Sequence, residues 1–258
     1  MSHCIITGGA DGIGRAVAER YARAGYAVTL VDRDAERGAA LCAALRAQGA
    51  SATFVAADLS DARAIAGALV ELGQLPPADV VVHSAGISAV GAFAGSALAA
   101  QHAVLDVNLR APLLLTAGLL ARGRVAPGGT LVFIASLSVF TGYPGAAVYA
   151  ASKDGVAAYA RSLRVALEQR GINVLTVFPG PTRTAHARRY SPDNRREGRR
   201  MAPERLAELL AVAVQRRQAT LIPGAGNRLF AILGRLCPPL LDHAMRKTIL
   251  EKLATPGA

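Results

Sequence analysis

Short apolar segments alternate along the chain with longer segments in which apolar residues recur at helical spacing. Apolar, β-branched-rich runs are typical of strands buried on both faces of a parallel sheet. The pattern predicts these strands: Ser2–Thr7, Tyr26–Asp32, Ser51–Ala57, Asp79–Ser84, Gly129–Ser136, Asn173–Phe178 and Ala219–Ile222. It predicts these helices: Ile13–Ala24, Ala35–Gln48, Ala62–Leu72, Ser96–Ala121, Val148–Arg170 and Pro203–Gln215.

This alternation of strand and helix predicts an α/β fold, a doubly wound seven-stranded parallel sheet with right-handed crossovers. Gly25, Gly49, Gly73 and Gly171 each follow a predicted helix, where we expect left-handed C-terminal caps. We expect a single domain over residues 1–222, with a helical extension of the same domain over residues 223–258.

Composition narrows the class of protein. Of the 258 residues, 52% are hydrophobic and 18% charged, which suits a large buried core and excludes disorder. Cys4, Cys42 and Cys237 have no metal-ligand spacing, so we expect no metal site and a reducing cytoplasm. No secretory signal is expected, and the uncharged stretches Val80–Leu105 and Val125–Ser152 are interpreted as buried strands and loops.

The basic charge is concentrated in the last third of the chain. The formal net charge is +11, and residues 183–258 hold 15 Lys/Arg against 6 Asp/Glu. Such a surplus suits nucleic acid, anionic lipid or an acidic substrate or carrier. Without a nucleic-acid motif or an aromatic platform, we expect no nucleic-acid partner.

A glycine-rich turn, Thr7-Gly8-Gly9-Ala10-Asp11-Gly12-Ile13-Gly14, joins the first strand to the first helix. Glycines there let the backbone turn tightly and approach a pyrophosphate, while the helix N-terminus attracts phosphates. Asp32 ends the next strand, where a carboxylate accepts hydrogen bonds from ribose hydroxyls. The combination predicts a dinucleotide site.

Charges around this turn favour NAD over NADP. The Asp32 carboxylate repels a 2′-phosphate, and Asp11 adds a second negative charge. Arg33 acts in the opposite direction if its guanidinium binds a phosphate, or it simply begins a solvated helix. NADP therefore stays the alternative cofactor.

Tyr149 and Lys153 lie four residues apart on a predicted helix and so share one face. A tyrosine has an unperturbed pKa of about 10, and we expect the neighbouring ammonium and an oxidised nicotinamide to favour its phenolate. Tyr149 then exchanges a proton with a substrate hydroxyl. Ser136, at the end of a buried strand, is placed to orient the substrate oxygen, and Asn108 to expose a carbonyl to a water near Lys153.

In these motifs the chain resembles the short-chain dehydrogenase/reductase family over roughly residues 3–222. The resemblance rests on the glycine turn, Asn108, Ser136, Tyr149 and Lys153, together with pairs that follow further strands: Asp58-Leu59, Ala85-Gly86 and Pro179-Gly180. It implies a Rossmann fold and an NAD(P)-dependent oxidoreductase interconverting a secondary alcohol and a ketone.

The resemblance also implies roles for single residues. Tyr149 is the expected acid/base, Ser136 positions the substrate oxygen, Lys153 binds the nicotinamide ribose, and Asn108 holds a relay water. The expected cofactor-binding residues are Gly8, Asp11, Gly12, Ile13, Gly14, Asp32, Arg33, Asp58, Leu59, Ala85, Gly86, Tyr149, Lys153, Pro179, Gly180, Thr182 and Thr184. One departure stands out: the family's N-N-A-G stretch is here His83-Ser84-Ala85-Gly86, and we expect His83 to be a buried, hydrogen-bonded strand residue.

Substrate and partners are less constrained. The Arg-rich segment at about 182–202 takes the place of the family's substrate loop, and its paired arginines suit either a phosphate-bearing substrate or a solvated surface. The apolar-basic segments Arg228–Leu236 and Leu240–Leu253 suit a packed extension, a lid or a membrane contact.

We expect a lipophilic, steroid-like or long-chain substrate, with an NADPH-dependent 3-oxoacyl-thioester reductase as the alternative. By resemblance we expect a homodimer or homotetramer. A non-catalytic nucleotide sensor is the remaining alternative class.

Overall fold

A computed structural model describes residues 1–91, 95–191, 194, 195, 197–247 and 251. Its strands are β1 (His3–Thr7), β2 (Ala27–Asp32), β3 (Ala52–Ala56), β4 (Ala78–His83), β5 (Val125–Ile134), β6 (Asn173–Val177) and β7 (Thr220–Leu221). Its helices are α1 (Gly12–Arg23), α2 (Ala35–Ala47), α3 (Ala62–Leu72), α4 (Leu98–Leu105), α5 (Ala111–Ala121), α6 (Ala147–Leu167), α7 (Ala185–Tyr190), α8 (Pro203–Gln215), α9 (Ala225–Leu236) and α10 (Pro238–Met245).

The seven strands form one parallel sheet in the order β3-β2-β1-β4-β5-β6-β7, which confirms the predicted fold class. β1 is paired with β2 on one side and β4 on the other, so Thr7 has Val31 and His83 as its register partners. The chain reverses its winding direction at this point. In doubly wound sheets, ligands bind in the crevice that opens there, beyond the carboxyl ends of the strands.

Helices cover both faces of the sheet because the strand side chains alternate between two apolar cores. Cys4 and Ile6 of β1 face α1, α2 and α8, whereas Ile5 faces α3, α5 and α6. All three side chains are at most 1% exposed. The even burial on both faces explains why the strands have uniformly apolar sequences without alternation.

The helix predicted at Ser96–Ala121 is interrupted. A π-helical turn, Asp106–Arg110, separates α4 from α5. Pro112 supplies the reason, since it has no N–H to donate to the Asn108 carbonyl four residues earlier. The stretch Leu98–Ala121 is long and apolar enough to cross a membrane, but Val104, Ala111 and Leu115 are buried in the protein core.

Two further predictions were wrong in detail. β5 begins at Val125, four residues before the predicted start at Gly129. Gly25, Gly49 and Gly171 have positive φ angles, as expected for left-handed caps. Gly73 has φ −66° and ψ −19°, a right-handed helical conformation, because its N–H continues the helical bonding to Leu69 and Val70.

The C-terminal extension packs on the carboxyl side of the sheet. Ala231 of α9 joins a small apolar cluster with Phe140 and Phe178, and a Cβ on Gly234 would collide with the Phe140 carbonyl. The Asp242 carboxylate of α10 accepts a 2.8 Å hydrogen bond from the Gly142 N–H. The extension is therefore held against the loop that precedes α6. Part of the predicted segment Leu240–Leu253 lies outside the described residues.

Candidate active site

One cleft of about 1630 Å³ runs along the carboxyl ends of the strands. It exceeds the usual ~300–1,000 Å³ of a single small-molecule site, as a site for a dinucleotide plus a substrate requires. It is lined by nearly every residue in the predicted sites: Gly8, Asp11, Gly12, Ile13, Gly14, Asp32, Arg33, Asp58, Leu59, Ala85, Gly86, Ser136, Tyr149, Lys153, Pro179, Gly180, Thr182 and Thr184. Asn108 lies behind the cleft wall.

The glycine turn is packed so closely that two of its glycines have no room for a side chain. Gly8 has φ +66°, and a Cβ there would lie 2.7 Å from the Ala85 Cα. A Cβ on Gly14 would collide with the Gly8 carbonyl. The turn thus forms a bare backbone cradle at the start of α1, which fits the pyrophosphate of a dinucleotide.

Two carboxylates brace this cradle. Asp11 caps α1 by accepting a 2.7 Å hydrogen bond from the Gly12 N–H. Asp32 accepts hydrogen bonds from the Ala10 N–H at 3.0 Å and the Asp34 N–H at 3.1 Å, one on each oxygen. Each carboxylate oxygen has a second acceptor site, so Asp32 can support the turn and still bind ribose hydroxyls.

The end of the cleft beyond Asp32 carries both signs of charge. Arg37 lies 3.5 Å from an Asp34 carboxylate oxygen and 3.9 Å from one of Asp11. Hydrogen bonds from the Ser60 backbone and hydroxyl, helped by the Arg33 charge, lower the pKa of Asp58. The Asp58 carboxylate is therefore favoured in its charged form at this end of the cleft.

Tyr149, Lys153 and Ser136 meet where β5 ends against α6. The Lys153 Nζ donates a 2.9 Å hydrogen bond to the Ile134 carbonyl and lies 5.8 Å from the Tyr149 ring centroid. Ser136 accepts a 3.2 Å hydrogen bond from the Ser138 N–H, which begins a short 3₁₀ turn and fixes the serine beside Tyr149. The i,i+4 spacing thus places phenol and ammonium on one face, as predicted.

The pKa values of Tyr149 and Lys153 differ from the expectation that the neighbouring ammonium favours the phenolate form of Tyr149. Burial raises the pKa of Tyr149 to about 12, against the opposing effect of its hydrogen bond with Ser136. Burial also lowers the pKa of Lys153 to about 8. Desolvation penalises the charged form of each group, and it is the largest cause of both shifts.

Asn108 is 2% exposed, and its side-chain amide joins the π turn to the loop after β4 and to α6. Its Oδ1 accepts from the Ile87 N–H at 2.8 Å, and its Nδ2 donates to the Ile87 carbonyl and the Ser152 hydroxyl. Ser152 in turn donates to the Tyr149 carbonyl at 2.7 Å. Sequence reasoning missed Ser152, because its importance comes only from this contact between α6 and the π turn.

The loop after β6 closes the other side of the cradle. Thr184 caps α7 through a 3.1 Å hydrogen bond from the Ala187 N–H, and its methyl lies close enough to Gly12 to contact a Cβ there at 3.3 Å. Thr182 is buried and donates to the Gly180 carbonyl at 3.1 Å. Both threonines therefore stand opposite the start of α1.

A row of aromatic rings above Tyr149 was also missed. Ring centroids are separated by 6.3 Å from Tyr143 to Tyr149, by 6.3 Å from Tyr149 to His186, and by 4.8 Å from His186 to Tyr190. Burial, followed by the charges of Lys153 and Arg189, lowers the pKa of His186 to about 4, so this ring is neutral. In the sequence, only the four-residue spacing between His186 and Tyr190 on α7 indicated one of these ring contacts.

The Arg-rich segment is partly tied within itself. Arg188 lies 3.3 Å from a Glu197 carboxylate oxygen, and Arg200 donates hydrogen bonds to Ser191 and Asn194. Arg196 of the predicted pairs lies outside the described residues. Arginines 189, 199, 200 and 205 line the cleft.

Comparison with known proteins identifies the family to which the chain belongs. The short chain dehydrogenase family profile matches residues 2–195. The 1-deoxy-11-beta-hydroxypentalenate dehydrogenase of Streptomyces exfoliatus is 39% identical over 183 residues, 68% of this chain and 66% of that protein.

Two solved structures cover the whole of this chain. A short-chain dehydrogenase from Sphingobium yanoikuyae in complex with NADPH has 27% identity and a TM-score of 0.80, with 98% of that chain covered. The bulky-bulky ketone specific alcohol dehydrogenase from Comamonas testosteroni has 26% identity and a TM-score of 0.78, with 97% covered. The chain thus belongs to the short-chain dehydrogenase/reductase family of NAD(P)-dependent oxidoreductases that act on CH–OH groups.

Proposed function

We propose that this enzyme interconverts a bulky, lipophilic secondary alcohol and its ketone, with Tyr149 as the acid/base. The observation that carries the proposal is the meeting of Tyr149, Ser136 and Lys153 under a row of aromatic rings in a cleft that also contains the glycine cradle. A nicotinamide cofactor bound there supplies or accepts the hydride.

The residues of the chain handle the proton and the oxygen. In ketone reduction the Ser136 hydroxyl donates a hydrogen bond to the substrate oxygen, and Tyr149 gives that oxygen its proton. The Lys153 ammonium stabilises the resulting phenolate, and the reverse transfer serves alcohol oxidation. Burial of Tyr149 keeps the phenol protonated near neutral pH, which suits its role as the acid.

For the cofactor, we propose that the glycine turn and the start of α1 bind the pyrophosphate, that Asp32 binds the adenosine ribose, and that Asp58 and Leu59 flank the adenine. Lys153 would hold the nicotinamide ribose, with Thr182 and Thr184 at the carboxamide. We favour NAD, because the carboxylates near Asp32 outnumber the arginines there and Arg37 is already close to two of them. The NADPH bound in the Sphingobium structure keeps NADP as the alternative.

The substrate class follows from the walls around Tyr149. Tyr143, His186 and Tyr190 offer ring faces, and Phe230 of α9 and Met245 of α10 line the same cleft. Aromatic and thioether side chains bind flat apolar rings through area burial and ring contacts. In this proposal residues 223–258 belong to the catalytic domain, and α9 and α10 form part of its substrate wall.

Replacement of Tyr149 by Phe tests the acid/base role. We expect kcat to fall by about 10³-fold, in the ~10²–10⁴ range of a lost acid/base, with little change in NADH affinity by nicotinamide fluorescence. Tyr26→Phe, which removes a phenol far from the cleft, should keep full activity. An active Tyr149→Phe enzyme would show that another group transfers the proton.

A second candidate is an NADPH-dependent 3-oxoacyl-thioester reductase, favoured by the arginines that line the cleft. Arg189 and Arg205 can face a phosphate-bearing substrate such as a coenzyme A thioester. Assays with a ring ketone and with an acetoacetyl thioester, each with NADH and NADPH, separate the two candidates. Preference for the thioester with NADPH would favour the second.

Two surfaces suggest partners. Leu98, Leu114 and Val165 are exposed on α4, α5 and α6. The resemblance to the family implies that the predicted helices Ser96–Ala121 and Val148–Arg170, which correspond to α4, α5 and α6, form the dimer interface. We propose that a second copy covers this face. Light scattering should give the mass of a dimer or tetramer. The Val165→Asp variant should have a lower oligomeric state, because it places a charge on this apolar face.

The outer face of α9 and α10 carries Leu229, Ile232, Leu236 and Leu240, each more than half exposed, beside Arg228 and Arg235. This amphipathic, basic face matches an anionic membrane surface. We propose a cytoplasmic enzyme that touches membranes peripherally. Vesicles with phosphatidylglycerol should sediment the protein, pure phosphatidylcholine should not, and Leu229→Asn with Leu236→Asn should abolish sedimentation.

A further inference from the structure

His83 is a buried histidine whose ring has one nitrogen in use. It ends β4, is 5% exposed, and stacks on Phe133 with ring centroids 4.9 Å apart. Its Nε2 is 2.9 Å from the Thr116 hydroxyl. Its Nδ1 is buried and has no hydrogen-bond partner within the described part of the chain. A buried polar atom of this kind requires a partner such as an internal water.

A small cavity of about 10 Å³ lies beside this ring, behind the wall of the active-site cleft. It is lined by His83, Asn108, Pro112 and Lys153, among others. This volume is close to the ~10–15 Å³ that one water needs. The cavity therefore joins the histidine to the ammonium that stands beside Tyr149.

Two other polar groups border this space with bonding capacity to spare. Lys153 has three N–H donors, and one of them goes to the Ile134 carbonyl. The Asn108 carbonyl lacks the usual helical donor because residue 112 is a proline. With the His83 ring, these groups offer one donor and two acceptors, the two to four partners that an internal water needs.

The family resemblance already implies a relay water between the Asn108 carbonyl and the Lys153 ammonium. We propose that His83, a residue that departs from the family's pattern, is a positioning residue that supplies the third hydrogen-bond partner of this water and so fixes it against Lys153. The proposal rests on the proposed function, since it assigns this water to the Tyr149–Lys153 pair. The water accepts from the Lys153 Nζ and donates to the Asn108 carbonyl and to the His83 Nδ1.

The hydrogen bonds beyond His83 agree with this assignment. With Nδ1 as acceptor, the ring carries its proton on Nε2 and donates it to Thr116. Thr116 then donates its own proton to the Tyr159 phenol, a bond that holds the pKa of Tyr159 down against burial. Burial lowers the pKa of His83 to about 3, so the ring stays neutral and does not repel Lys153.

The consequence is a Lys153 side chain fixed by two acceptors instead of one. The Ile134 carbonyl holds the ammonium from the strand side and the water holds it from the helix side. A hydrogen bond to the charged form favours that form. Loss of the water should therefore lower the pKa of Lys153 and shorten the pH range in which it supports Tyr149.

A crystal structure of the cofactor-free enzyme tests the water directly, and His83→Leu, His83→Asn and Val81→Ala test its role. We expect one ordered water beside the His83 Nδ1 in the wild type and none in His83→Leu. His83→Leu should lower kcat by about tenfold and move the alkaline limb of the ketone-reduction profile to lower pH, with KM little changed. His83→Asn should restore most of both values, because its amide can bind the water.

Val81→Ala is the matched control, since it disturbs the same face of the same strand without a polar change. It should lower the melting temperature but leave the alkaline limb in place. Besides His83 itself, which is neutral, Tyr149 and His186 are titratable groups near Lys153 in the described part of the chain, and none of these variants alters them. A dry wild-type cavity, or an unchanged pH profile in His83→Leu, would overturn the proposal. Either result can occur while Tyr149→Phe still abolishes turnover, so the two proposals fail separately.

Discussion

The two sides of the cleft are built in different ways. The cofactor side (residues 7–14, 32–37, 58, 59 and 84–86) is fixed by close contacts and hydrogen bonds to its backbone. Gly14 packs against the Gly8 carbonyl, and the Ser84 hydroxyl donates to the Thr7 carbonyl. The substrate side (Tyr143, α7, α9 and α10) is formed by side chains that contact one another through ring faces and apolar surface.

This difference explains which functions can change independently. The pyrophosphate is the same in NAD and NADP. A backbone cradle that binds it tolerates almost no substitution. A substrate wall made of side chains can change its shape without moving the backbone. In the proposed function, the cofactor side and the Tyr149–Lys153 pair together set the reaction type, and the substrate side selects the substrate.

Gly14→Ala should have the largest effect, because the added methyl group must displace the Gly8 backbone. We expect loss of measurable NADH binding and a lower melting temperature. Fluorescence titration measures the binding, and calorimetry measures the melting temperature. Gly67→Ala is the control: it lies on the exposed side of α3 with no atom within 4 Å of the new Cβ, and should stabilise the fold by ~0.5–1 kcal/mol. Normal cofactor binding by Gly14→Ala would contradict a rigid cofactor side.

Asp32→Ser should shift cofactor preference. The variant lacks the charged hydrogen bonds from the Asp32 carboxylate to the ribose, each worth about 1.5–3 kcal/mol. The ratio of kcat/KM for NADP to kcat/KM for NAD should therefore rise about 10–100-fold. Asp61→Ser replaces a carboxylate that caps α3 outside the cleft and should leave this ratio unchanged. An unchanged ratio in Asp32→Ser would mean that Asp32 serves only to brace the turn.

The pH profiles sharpen the comparison where the two sides meet. Ketone reduction needs protonated Tyr149 and charged Lys153, so its rate should hold at neutral pH and fall about tenfold per unit above pH 8, where Lys153 loses its proton. Alcohol oxidation needs the phenolate, so its rate should rise as the pH approaches that limit. Steady-state kinetics in both directions measures this, and parallel profiles would contradict the assignment.

Phe230→Ala should have the smallest effect and be confined to the substrate side. Loss of this partly buried ring should lower kcat/KM for a bulky ring ketone by about tenfold, or ~1.4 kcal/mol, which is slightly less than the ~1.5–3 kcal/mol of a fully buried Phe side chain. A small acyclic ketone and NADH binding should be unaffected. Val70→Ala, an exposed truncation on α3, controls for nonspecific effects, and an equal loss for both ketones would argue against a specificity wall.

Sequence analysis succeeded where the chemistry is local. Tyr149 and Lys153 share a face because they are one helical turn apart, and Asp32 ends a strand whose position next to the glycine turn is fixed by topology. It failed at Gly73, where a glycine after a helix was expected to adopt a left-handed conformation and instead continues the helical bonding. It also failed at the π turn, because the effect of Pro112 on Asn108 concerns a hydrogen bond rather than a hydrophobic pattern.

The sequence by itself determined the sheet, the cofactor cradle and the Tyr149–Lys153 pair, since each depends on spacing within one element or on glycines whose backbone needs are local. Only the tertiary structure decided what surrounds them: the ring row above Tyr149, the link from Asn108 through Ser152 to α6, and the cavity between His83 and Lys153. These arise between elements distant in sequence. Their geometry depends on how helices pack across the sheet, which hydrophobic periodicity does not encode.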